Sequence, residues 1–204
     1  MPTLIQDRRF EKQLRRERAA SGADRYDEVW DGVYVMSPLA DIEHQQIVGG
    51  LHAILQIVIK WSKQGEVFPG CNISDRDEDW TRNYRIPEIA VYLNDNRALF
   101  RDTHVVGGPD LAVEITSPDE RPRAKLPFYA KVATREVLLL DRKRWRLELY
   151  RLDGRKLVRV GRSTPDDPAP LASATVPLTF RLVAGQPRPT IDVAHADGAQ
   201  RWTV

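Results

Sequence analysis

Thiol chemistry is almost missing from this chain: Cys71 is the single cysteine in 204 residues. No disulfide can close within the sequence and no thiolate cluster can hold a metal. A lone thiol without an activating neighbour reads as a buried or half-buried side chain in a reducing cytoplasm rather than a nucleophile. Long hydrophobic runs are missing too. The segment MPTLIQDRRFEKQLRRERA has no apolar core of leader-peptide length. The most apolar helical stretch, near Ile47 to Trp61, is interrupted by His52, Gln56 and Lys60, so no membrane partner is expected. Strong net charge is absent at +2, which removes the bulk electrostatic signature of a nucleic-acid-coating protein. His44, His52, His104 and His195 lack the spacing of metal ligands, although His44 is placed to line a cleft. There is no Ser-His-Asp ordering, phosphate-cradling glycine loop, zinc motif or internal repeat.

What is present is a chain with enough apolar content, 42%, for a real core. Its length fits one domain with appendages, or at most two small ones. Arginine dominates the basic residues, which cluster in Arg8 to Arg18, Arg121 to Lys131 and Arg142 to Arg155. Arginine suits bidentate contact with phosphate, but the last cluster reads better as the solvated surface of a hairpin.

Residues 1–23 form a charged helix or arm, able to touch a partner chain or DNA. YDEVWDGVYVM, from Tyr26 to Met36, reads as a hairpin turning at Asp31-Gly32. Asp41 is a candidate N-cap for a core-facing helix over Ile42 to Lys63. Gly49-Gly50 within it suggests the close approach of another backbone. In the strand YRIPEIAVYL, alternation puts Glu88, Ala90 and Tyr92 on one face, and Pro87 marks an edge or a bulge. The strand Asp110 to Thr116 is apolar on both faces, as in a sheet covered on both sides. A helix near Ala124 to Val132, a strand Glu136 to Asp141 and a hairpin through Asp153-Gly154 follow. The order predicts an α/β sandwich, a mixed central β-sheet flanked by helices, over residues 24–162. Residues 163–204 form a proline-rich extension, with Leu178 to Val183 and Thr190 to Val193 as short edge strands.

Two acids stand out on apolar strands, Glu88 and Glu114. A lone carboxylate in a buried strand is costly unless it is paired or binds a cation. On adjacent strands the two would converge on one divalent ion, and Lys125, from the following helix, would orient water or hold developing negative charge. The alternative is an ion pair for each acid with an arginine such as Arg85 or Arg121. Asp110 shares a face with Glu114 but lies about 13 Å along the strand at about 3.3 Å per residue, too far to share an ion, and is assigned a structural or supporting role. Glu43 either reaches the site or serves the helix N-terminus.

RIPEIAVY, GPDLAVEITSPDERPRAKLPFYAK, EVLLLD and LELYRLDG, with DGVYVMSPLADIEHQQIVGGLHAIL upstream, resemble the Uma-type restriction endonuclease family of the PD-(D/E)XK nuclease superfamily. The resemblance covers about residues 26 to 153. It implies a restriction-endonuclease-like fold, a magnesium-dependent phosphodiesterase site with manganese as a substitute, and DNA as substrate. Double-strand cutting would suit a symmetric homodimer. Carried over by residue, Glu88 and Glu114 become the metal-binding acids, and Tyr129 packs at the edge of the site. Thr116 stands where the motif has lysine, so the lysine has moved to Lys125. Val132-Ala133-Thr134 replaces the family's glycine-valine-proline step.

Overall fold

The computed structural model of the protein describes residues 8–116 and 123–204; Leu4, Ile5, Ser117, Pro118 and Arg121 lie outside them. Helix α1 (Arg8–Ser21) leads into strands β1 (Glu28–Trp30) and β2 (Val33–Val35). Asp31 and Gly32 both take positive φ, 47° and 86°, the conformation that a two-residue hairpin demands. Asp41 caps helix α2 (Ile42–Leu55) through a 2.7 Å hydrogen bond from the His44 N–H, and the helix runs on into a π-helical turn, Gln56–Lys60. Then come β3 (Gly65–Pro69), β4 (Ile73–Ser74), β5 (Tyr84–Arg85), β6 (Ile89–Leu93), β7 (Leu99–Phe100), β8 (Val105–Val106) and β9 (Leu111–Thr116). Helix α3 (Leu126–Lys131) tolerates Pro127 because it falls in the first turn. The remaining strands are β10 (Glu136–Asp141), β11 (Arg146–Asp153), β12 (Lys156–Ser163), β13 (Leu171–Ala172), β14 (Leu178–Val183), β15 (Thr190–His195) and β16 (Arg201–Thr203).

The central sheet has the order β12-β11-β10-β9-β6-β3, with β9 and β10 parallel and the other pairs antiparallel. Helix α3 supplies the crossover that a parallel pair needs. Alternation sorts the sheet into two cores. Ile89, Val91, Leu111, Val113 and Ile115 pack against Ile47, Leu51, Ile54 and Leu55 of α2. Ala90, Tyr92, Ala112, Val137 and Leu139 pack against Phe128 and Tyr129 of α3. A buried aliphatic side chain contributes about 1.5–3 kcal/mol. The apolar stripe of α2 therefore outweighs its two glycines, at about 1 kcal/mol each.

Gly50 faces a side chain rather than the expected backbone: a Cβ there would lie 2.7 Å from Cγ1 of Val204. A second sheet, β2-β1-β5-β4-β8-β7, is built of short strands. The third, β13-β14-β15-β16, places Leu178, Phe180, Leu182, Ile191 and Val193 in the same core as α2. Among the described residues no helix is long and apolar enough to cross a membrane.

Candidate active site

The chain changes sheets at Pro87. Strand β5 belongs to the short-stranded sheet and β6 to the central one, so Glu88 stands at the seam between them. Ile89 pairs with Val113 across β6 and β9, and one further step of that register sets Glu88 opposite Glu114 on the same face. Both carboxylates line a cleft with Tyr26, Ser37, His44, Ile86 and Lys125.

Glu114 is buried, at 5% exposure, and both of its oxygens are engaged. Lys125 Nζ donates to Oε2 over 3.0 Å, and the Tyr129 hydroxyl makes a short hydrogen bond to Oε1. Burial pushes the Glu114 carboxyl up to about 7; Lys125 and the Tyr129 hydrogen bond pull against it, while Glu28 and Glu88 add to it. For Lys125, burial disfavours the charge, but Glu114 and Glu28 outweigh it and hold the ammonium above the ordinary lysine range. Burial, with Glu114 beside it, raises the Tyr129 phenol well above its usual value, so it remains a neutral donor.

His44, in the first turn of α2, is fixed by the Asp41 cap. Its Nε2 lies 3.0 Å from Glu88 Oε1 and 3.2 Å from the Ile115 carbonyl oxygen, while Nδ1 is buried without a hydrogen-bond partner among the described residues. Burial lowers the affinity of the imidazole for its proton, but the hydrogen bond to Glu88, the charge of that carboxylate and the Ile115 carbonyl together outweigh it and the pKa is raised. A carboxylate and a carbonyl thus converge on one point.

Glu88, Glu114, Lys125 and Tyr129 come together; Asp110 and Glu43 do not join them. Asp110 sits at the other end of β9, accepting from the Leu93 N–H at 2.7 Å and Asn96 Nδ2 at 2.8 Å, and pairing with Arg135 at 2.8 Å. Glu43 turns to Arg142, 3.0 Å away, which also grips Asp41. Arg142 is therefore a buried ion-pair partner at the head of α2 rather than part of a solvated hairpin. Arg85 pairs with neither acid. It donates to the Val29 and Tyr84 carbonyls and to Asn83 Oδ1, and its guanidinium stacks between Trp30 and Phe128. Thr116 bonds the Leu140 carbonyl. Burial raises the Cys71 thiol to about 12, as suits an inert side chain.

Sequence reasoning missed Glu28. It is 2% exposed and lies 2.9 Å from Lys125 Nζ. The EVW triplet of β1 carries no periodic signal long enough to single out its acid.

A mixed sheet sandwiched between α2 and α3, with paired acids at the seam and a lysine from the crossover helix, defines a restriction-endonuclease-like protein. The chain belongs to the Uma2 family, described as "Putative restriction endonuclease", whose model matches residues 11–183. A crystal structure of "a putative nuclease belonging to DUF820" from Anabaena variabilis ATCC 29413 is similar in fold, with a TM-score of 0.57 at 18% identity over 73% of this chain and 83% of that one. No curated protein matches the chain significantly.

Proposed function

We propose that this protein is a metal-dependent DNA endonuclease that hydrolyses phosphodiester bonds. The observation that carries the reading is the seam itself: Glu88 opposite Glu114, with Lys125 3.0 Å from Glu114, at the head of one cleft. The donor set fits a hard divalent cation. The Glu88 carboxylate and the Ile115 carbonyl already converge on a single His44 nitrogen, and Glu114 lies beside them. Among the described residues no cluster of three or more His, Cys, Asp or Glu side chains could hold an ion. The Glu88 and Glu114 carboxylates and the Ile115 carbonyl would hold it, with water completing the shell as magnesium prefers. Such an ion, when bound, activates water and neutralises phosphate charge. Lys125, kept protonated by its acidic neighbours, favours holding negative charge at the scissile phosphate over accepting a proton.

Helix α1 supports nucleic acid as the partner. Its six basic side chains against two acidic ones give +4 on a chain whose net charge is +2. Arg18 ties it beside the cleft, donating to Asp27 and, over 2.8 Å, to the carbonyl of the cleft residue Ser37. One feature favours a nuclease fold that binds without cutting: Lys125 and Tyr129 each already hold one Glu114 oxygen, so an ion must share that carboxylate with them.

The test is supercoiled plasmid incubated with wild type and Glu114→Ala in magnesium, manganese or EDTA. Metal-dependent nicking that the substitution abolishes is the expected outcome. Salt-sensitive binding with no nicking by wild type would support the binding reading, and equal nicking by both proteins would move the active site elsewhere.

A further inference from the structure

Glu28 is a buried carboxylate in contact with Lys125 that the proposed chemistry leaves unused. Its Oε1 accepts from the Ile86 N–H at 2.7 Å and lies 2.9 Å from Lys125 Nζ; its Oε2 accepts from Trp30 Nε1 at 2.6 Å. Ile86 lies two residues before Glu88, so one carboxylate oxygen ties the approach to that acid and the lysine to the same point. The stack of Trp30, Arg85 and Phe128, with the guanidinium 4.5 and 4.3 Å from the two ring centres, locks β1 against α3. With both oxygens held by fixed N–H donors, Glu28 is poorly placed to turn outward as a ligand. What remains for it to do is to hold Lys125.

We infer that Glu28 is a positioning residue for Lys125: a fixed counter-ion that keeps the ammonium in the cleft when Glu114 is engaged elsewhere. The inference rests on the nuclease reading for its catalytic consequence but not for its geometry. Lysine at the motif position would be held by the central strand itself. Here that position is Thr116, and the lysine stands at the start of the six-residue helix α3, which has no side-chain N-cap hydrogen bond. A side chain projecting from so short an element needs a second anchor, and β1 supplies it. A buried charge-assisted hydrogen bond is a strong constraint, because losing one partner leaves the other charge uncompensated.

The experiment has two arms. In the first, metal-free wild type, Glu28→Gln and Glu28→Asp are exposed to an amine-acylating reagent, and modification of Lys125 is followed by peptide mass spectrometry. Glu28→Gln is expected to raise the modification rate by about tenfold, the scale of losing one such hydrogen bond, and Glu28→Asp to restore part of the protection. An unchanged rate in a folded Glu28→Gln protein overturns the inference whether or not the protein cuts DNA. Should Glu28→Gln fail to fold, Glu28→Asp alone decides: a rate above wild type supports the anchor and an equal rate removes it. In the second arm, plasmid nicking by Glu28→Gln, Lys125→Met and the double variant is compared. Acting through the lysine, Glu28→Gln lowers kcat with KM little changed, and adds nothing once Lys125 is gone. Losses that multiply would assign Glu28 a separate structural role and overturn the inference.

Discussion

Single side chains carry most of the consequences at the site, and some of them lie outside its chemistry. Ala133, just after α3, takes φ of 62°, a conformation that strains any residue with a Cβ. Its neighbour Thr134 packs so closely on Gly108 that a Cβ there would lie 2.4 Å from the Thr134 backbone nitrogen. Ala133→Gly should therefore stabilise the protein by about 1 kcal/mol, read as a raised urea midpoint with unchanged slope. The sequence shows that this step departs from the family's but not that the backbone turns left-handed at Ala133. The convergence of Glu88, Glu114 and Lys125 was legible because strand alternation and the motif resemblance mark the two acids independently, and the resemblance marks the lysine on the next helix. Glu28 was not, because its meaning lies in a contact with a residue far along the chain.

Helix ends decide more than helix interiors here. Arg142 and then the His44 N–H hold the Asp41 carboxyl down to about 2. The unfolded value is about 3.9, so this contribution to stability is full above about pH 4 and disappears as pH falls through about 2. Asp41→Asn keeps a capping side chain but loses the charge. It should be less stable than wild type at pH 5 to 7 and converge on it near pH 2, measured by urea melts across that range. The cap was legible from sequence. The buried guanidinium that completes it was not, because an arginine in a basic run looks the same whether solvated or paired. At the opposite extreme, Lys12 and Arg16 of α1 are exposed. Reversing both to glutamate should weaken duplex DNA binding and lower the slope of log affinity against log salt by roughly 2, followed by fluorescence anisotropy in calcium, while leaving the melting temperature nearly unchanged.

Across the whole molecule, the proline-rich stretch beyond residue 162 is where sequence and structure differ most in weight. Leu178 to Val183 is a strand as expected and the strand expected at Thr190 to Val193 runs on to His195, but both lie inside the last sheet rather than at an edge, and pattern alone could not say that they close the core over α2. Phe180, 1% exposed, sits in that shared core. Phe180→Ala should cost about 3–5 kcal/mol, and circular dichroism and tryptophan fluorescence should report one common transition. The same sharing has a kinetic consequence. A core that joins residues 47–59 to residues 176–193 must close a loop of more than half the chain before it gains anything from doing so. Folding should accordingly be slow for a protein of this size. Until the last sheet arrives, the inner stripe of α2 is an adhesive surface, and the crowded interval after synthesis, rather than the finished fold, is when this protein is most exposed to aggregation.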